Sequence, residues 1–193
     1  DVPDWYIKSC EKIKYMFPKA HAAAYVTNAF RIAWFKVHIP LAYYAAYYSI
    51  RAKAFDAQYM IFGKEKVKNK MKEIEMKNQK KEATKAELDM YDDLEIVLEM
   101  YERGFEFLPV DIYESEASKF KIQDNKLRPP LNSIPGFGTV AAQGIVNARK
   151  DGKFMSIDDL KIRAKIGASG AELLKQFGCL EGMSQSNQLS LFG

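Results

Sequence analysis

The chain has 193 residues, 48% of them hydrophobic and 28% charged, enough apolar side chain for a core in one domain or two small ones. Its two cysteines, Cys10 and Cys179, stand far apart without a C-x-x-C pair, which excludes a disulfide framework and a cysteine-rich zinc site and fits a reducing cytoplasm. No segment near Asp1 reads as a signal peptide and no apolar run is long enough to span a bilayer, so no membrane partner is expected. The first residue is not Met, which points to a processed product or an excised fragment. The net charge of +4 is unevenly spread. Residues 88–125 carry eleven acidic and three basic side chains, whereas 64–87 carry nine basic and five acidic, and 126–175 nine basic and four acidic. Basic regions flanking an acidic one suit a molecule that meets a polyanion on some surfaces and turns another away; an ordinary mixed surface gives the same totals.

In chain order, Trp5 to Lys14 is predicted as a short amphipathic helix, and after Pro18 the run Ala20 to His38 as one long helix. That helix is apolar almost all round, a pattern that predicts burial among other helices. Pro40 opens a further helix, Leu41 to Ala52, with a stripe of Tyr43, Tyr44, Tyr47 and Tyr48. The stripe reads as core packing or as a partly open platform for bases. Lys64 to Lys81 alternates Lys and Glu around sparse apolar positions and predicts a solvated helix, or a two-helix hairpin broken near Ala83-Thr84. Ala86 to Arg103 follows at helical spacing, closed by Gly104. The period then switches to two in Phe105 to Leu108 and Ser118 to Ile122, with a turn at Asp124-Asn125, which predicts one or two short β hairpins and a domain boundary near residues 105–115.

Ile134-Pro135-Gly136-Phe137-Gly138-Thr139 joins a short helix from Leu131 to the run Val140 to Arg149, a helix-hairpin-helix pattern. Gly136 and Gly138 permit a tight turn with exposed N–H groups at a helix N-terminus, where free donors and the positive dipole end attract an anion. A DNA phosphate fits there without base contacts, so binding would be independent of sequence. The candidate DNA-binding residues are Gly136, Phe137, Gly138 and Thr139, with Arg149, Lys150 and Lys153 adding charge. A degenerate second copy follows: Ser156 caps a helix with Asp159 three residues on, Lys165 to Gly170 forms a hairpin, and Ala171 to Phe177 a second helix closed by Gly178. Lys165 is the candidate contact there, and the hairpin reads equally as structural. The chain ends in a polar string, Ser184 to Asn187, followed by Gln188-Leu189-Ser190-Leu191-Phe192-Gly193, an apolar cluster suited to a groove on another protein.

Taken together, these residues resemble the C-terminal end of PolC-type DNA polymerase III alpha subunits, the C-family replicative polymerases of Gram-positive bacteria. The resemblance is carried by Met16-Phe17-Pro18-Lys19-Ala20-His21-Ala22-Ala23-Ala24-Tyr25-Val26, Phe35-Lys36-Val37-His38-Ile39-Pro40-Leu41, Pro129-Pro130-Leu131, the hairpin at Ile134 to Gly138, Gly178-Cys179-Leu180, and a tail similar to the clamp-binding motif of bacterial replication proteins. It covers nearly the whole chain and is thinnest over Lys64 to Glu87.

The resemblance implies a mainly α fold: a helical fingers segment over residues 1–112 with a charged helical insertion at about 64–87, short β hairpins, a tandem helix-hairpin-helix duplex-binding domain over 113–183, and a clamp-binding tail over 184–193. It implies that Lys19, His21 and Arg31 face the incoming deoxynucleoside triphosphate, and that Gln188, Leu189, Leu191 and Phe192 bind a beta sliding clamp. Double-stranded primer-template DNA and other replisome subunits are the further partners, and the bacterial cytoplasm, at the nucleoid, the expected location. The palm carboxylates that hold magnesium in the family match nothing here, so no catalytic residue, metal ligand or cofactor is expected in this chain, and it is expected to be inactive alone. A non-catalytic DNA-binding and clamp-recruiting module is the alternative. A helix-hairpin-helix glycosylase needs a catalytic Asp after the hairpin, and Asp151, in a Lys-Asp-Gly-Lys turn, lacks a base pocket.

Overall fold

In a computed structural model of the protein, residues 2–13 and 18–186 are described. The chain divides into two compact units, Asp1–Pro40 and Leu41–Gly193. In the first, α1 (Asp4–Lys12) precedes α2 (Lys19–His38), which Pro18 starts. No residue of either helix is buried, against the expectation for a helix as apolar as α2; Phe30 is 73% exposed. A single short helix such as α1 cannot enclose an apolar surface that runs around a whole cylinder.

The second unit is mainly helical and carries one core that runs from Leu41 to Leu180. It starts with α3 (Pro40–Ile50), which Pro40 opens at the position where a missing N–H costs nothing. Tyr44 and Tyr48, one turn apart, stack at 6.1 Å and are buried. Tyr48 also meets Phe55, Phe107 and Phe120, so this part of the tyrosine stripe is core. Tyr47 lies at the rim, donating to the buried carboxylate of Asp93, which also accepts from the Ala54 amide at 2.8 Å.

After the short α4 (Ala57–Met60), α5 (Lys64–Gln79) and α6 (Lys85–Glu102) form an antiparallel hairpin. The Lys/Glu pattern predicted a solvated helix here, but Val67 and Ile74, seven residues apart on one face, are fully buried against Leu94, Val97 and Met100 of α6. The break falls where Ala83-Thr84 suggested: Thr84 accepts from the Glu87 amide while the Glu87 carboxylate accepts from Thr84, a reciprocal cap. Lys77–Glu87 and Lys68–Glu102 ion pairs tie the two ends of the hairpin.

Among the described residues one two-stranded sheet follows, β1 (Lys121–Gln123) against β2 (Lys126–Arg128), antiparallel with Gln123 opposite Lys126. Asp124 and Asn125 both adopt positive φ, 52° and 57°, the twist that a two-residue hairpin turn requires. Phe105 to Leu108 makes no strand of its own; Phe107 contributes a single bridge to Leu127. The remaining helices, α7 (Thr139–Ala148), α8 (Ile157–Ala164) and α9 (Ala168–Gln176), pack in sequence as α7 on α8 and α8 on α9.

Candidate nucleic-acid interface

The first helix of the first hairpin is a single 3-10 turn, Leu131–Ser133, because Pro130 before it and Pro135 after it leave no room for an α-helical ladder. Gly136 then takes a φ of 78°, the Phe137 amide turns back to the Ile134 carbonyl at 3.0 Å, and Gly138 is the extended N-cap of α7. The first backbone bond of α7 runs from Ala142 to Gly138, and no side chain caps the helix. The amides of Thr139, Val140 and Ala141 therefore point out of the helix end with the positive end of the dipole behind them. Gly138 and Thr139 are exposed and Val140 is 89% exposed, so this end is open.

The second hairpin repeats this geometry with different residues. Lys165 takes the positive φ of Gly136, at 55°; Ile166 is buried as Phe137 is; Gly167 is the extended N-cap of α9, again without a side-chain cap. Its first helix bond runs from Ala171 to Gly167, so the amides of Ala168, Ser169 and Gly170 are the outward donors. Helix α9 thus starts three residues before the position expected from sequence, because Gly167 and not Gly170 is the cap. The match of Gly136-Phe137-Gly138-Thr139 with Lys165-Ile166-Gly167-Ala168 was the signal for it.

The N-terminus of α8 is different. Its first three amides are all taken: Ile157 by the Ser184 carbonyl at 2.9 Å, Asp158 by the Gln185 carbonyl at 3.1 Å, and Asp159 by the Ser156 hydroxyl at 3.1 Å. Of the three helices in this region, two present open amino ends and the one between them is closed.

The candidate side chains sort themselves by environment. Phe137 is 4% exposed and its ring lies against Gly170, so it holds the two hairpins together and its amide is not available to a ligand. Arg149 is drawn inward. Its guanidinium donates to the carbonyls of Ile112 and Ser115 at 3.1 and 2.6 Å, which leaves it a strut and not the open phosphate ligand that its position in sequence suggests. Arg163, unremarked in the sequence, does similar work between the hairpins: it stacks on Phe154 at 4.7 Å and donates to the carbonyls of Ala148, Gly152 and Lys153. Lys150, Lys153 and Lys165 are exposed. Lys66, at the start of α5, lines a groove with Pro135 and Leu173 on one flank of the first hairpin. A second groove, of about 550 Å³, is lined by Asp56 and Glu87 together with Gly136 and Gly138 of the hairpin, and Glu87 is held ionised, its pKa lowered to about 2 by Lys77 and then by Thr84. Both carboxylates have cations close by, Lys66 and Lys70 for Asp56 and Lys77 for Glu87.

The three residues assigned to a nucleotide do not converge. Lys19 and His21 lie two positions apart on α2 and so point to nearly opposite faces, and Arg31 is about 18 Å farther along at 1.5 Å per residue. All three are exposed, and the His21 ring sits edge-on to Tyr25 at 4.5 Å. Gln188, Leu189, Leu191 and Phe192 lie outside the described residues, as do Met16 and Phe17 of the motif before α2. Among the described residues no group of three or more His, Cys, Asp or Glu side chains could hold a metal ion, and no helix is long and apolar enough to cross a membrane.

Comparison with known proteins agrees with this geometry. A model described as a helix-hairpin-helix motif matches residues 104–189. DNA polymerase III PolC-type of Bacillus subtilis is 53% identical over 192 residues, that of Clostridium perfringens 51% over 193, and that of Caldanaerobacter subterraneus subsp. tengcongensis 52% over 191. These alignments take in 99–100% of this chain but only 13–14% of each relative, so the chain spans about a seventh of their length. Over its whole length, the chain is homologous to one segment of the PolC-type DNA polymerase III family.

Proposed function

We propose that this chain is the duplex-gripping segment of a replicative DNA polymerase. The observation that carries the reading is the pair of open helix ends at Gly138 and Gly167, with the end of α8 between them closed. Two outward sets of amides, each at a positive dipole end, suit two backbone phosphates. Lys150, Lys153 and Lys165 add charge, while Phe137, Arg149 and Arg163 hold the frame.

The tail reading completes this proposal. Leu191 and Phe192 fill an apolar pocket on a sliding clamp and Gln188 sets register, so the clamp keeps a non-specific grip from leaving its DNA. Lys19, His21 and Arg31 contribute singly, not as one cluster, where the incoming nucleotide is enclosed. The carboxylates and magnesium of phosphoryl transfer belong to other parts of such a polymerase, which acts at the nucleoid.

Duplex binding by the intact polypeptide tests the grip. With roughly four phosphate contacts, log K falls against log salt with a slope of about −3.6. Binding that is flat in salt removes the phosphate reading. Replacing Leu191 and Phe192 by Ala is expected to abolish clamp binding and leave duplex binding intact; equal loss of both would sink the division of roles.

A further inference from the structure

We propose that the protein partner taken by the tail, a sliding clamp, also docks on the face of α8 marked by Met155, Asp158 and Ile162. This rests on the clamp reading of Gln188 to Phe192. The chain after α9 is not a loose tether. Leu180 is buried, Met183 packs on the core, and the carbonyls of Ser184 and Gln185 accept from the first two amides of α8. The Ser184 hydroxyl adds a bond to the Met155 carbonyl at 3.4 Å. The root of the tail is therefore pinned at the N-terminus of α8 up to Gln185.

Only Ser186 and Asn187 separate Gln185 from Gln188, three Cα steps or about 10 Å of fully extended chain at roughly 3.5 Å each. A protein that holds Gln188 to Phe192 must bring its surface within that reach of the start of α8. What it meets there is apolar and exposed: Met155 is 71% and Ile162 77% exposed. Ile162 stands one turn beyond Asp158 on the same side of the helix. The carboxylate of Asp158 is paired with Lys161 at 2.8 Å, so the face brings no unpaired negative charge into the contact. Docking removes both apolar side chains from water, and the fixed root sets the angle at which the partner is held.

The test titrates purified sliding clamp with the intact polypeptide and, separately, with a synthetic peptide of residues 184–193. The polypeptide is expected to bind about tenfold more tightly than the peptide. Replacing Met155 and Ile162 together by Gln is expected to reduce it to the affinity of the peptide, with melting temperature and duplex affinity unchanged. Inserting six Gly/Ser residues between Ser186 and Asn187 is expected to weaken it several-fold, because contacts of tail and face are no longer made from one fixed root. Peptide and polypeptide binding equally, or a Gln double variant that binds like the parent, overturns the docking face while the tail reading stands. Binding by neither shows that the tail reading itself is at fault.

Discussion

Gly144 of α7 lies so close to the carbonyl of Ala164 in α8 that a Cβ on Gly144 would overlap that oxygen. The crossing of these two helices, and with it the placement of one hairpin against the other, depends on a position with no side chain. In an open helix, Gly→Ala stabilises by about 1 kcal/mol. Here Gly144→Ala is expected to do the reverse, with a loss of about 1–3 kcal/mol from forced separation of the helices. A thermal melt checks the sign, and an unchanged or raised midpoint contradicts so close a crossing.

Gly138→Asp separates stability from binding. Gly138 has an ordinary extended conformation and nothing lies within 4 Å of a Cβ there. An Asp at this N-cap accepts from the outward amides of α7 and faces the positive dipole end, which adds a few tenths of a kcal/mol. The same carboxylate occupies and repels the phosphate. The expected result is an equal or higher melting midpoint with duplex affinity down by about tenfold or more and a salt slope shallower by about 1. Gly167→Asp should act likewise at α9, and a variant that melts higher yet binds normally would exclude that helix end from the contact.

Arginine and lysine near the first hairpin are expected to differ in kind. Arg149→Ala removes a guanidinium, only 15% exposed, from two carbonyl acceptors, and should cost about 1.5–3 kcal/mol in denaturant unfolding. Lys150→Ala and Lys153→Ala should change stability by less than about 0.5 kcal/mol and reduce the salt slope of duplex binding by about 1 each.

Burial raises the thiol of Cys179 to a pKa of about 12, helped by nearby Asp111, whereas Cys10 is exposed. Near neutral pH Cys179 therefore stays a thiol, the unreactive form. A thiol reagent is expected to label Cys10 quickly and Cys179 only after unfolding. Two equally fast thiols in the folded chain would contradict the packing around Val110 and Cys179.

Burial also raises the carboxyl of Asp93, an effect that its bonds from Ala54 and Tyr47 only partly offset. A carboxyl whose folded pKa lies above its unfolded value contributes stability that is complete below the unfolded value, near 3.8, and is lost as pH rises through the folded one. Asp93→Asn does not ionise. Relative to that variant, the parent should lose stability as pH rises above about 4, and a difference that stays constant with pH removes the burial argument.

Much of this molecule was legible in the residues. Pro18, Pro40 and Gly104 mark helix ends that the structure keeps, and Ile134 to Thr139 reads as a phosphate-holding turn because glycine and a helix start are local properties. The burial of α5 was not legible: Val67 and Ile74 look sparse among lysines until α6 is placed beside them. Nor was the role of Arg149, since a cation beside a hairpin looks like a ligand until the carbonyls of Ile112 and Ser115, more than thirty residues earlier, are brought to it.

By itself the sequence determined most of the helices, though not the short α4 or the start of α9, together with the two-residue turn at Asp124-Asn125, the first hairpin and the family resemblance, which follow from short-range backbone preference or contiguous motifs. Only the tertiary structure decided which helix ends are open. Gly138, Ser156 and Gly167 all precede helices, and local rules treat each as a start. The end of α8 is closed because the strap at Ser184 and Gln185 returns to it, while among the described residues no such strap crosses α7 or α9. Amides that find no partner among the described residues are the ones left to bind something else.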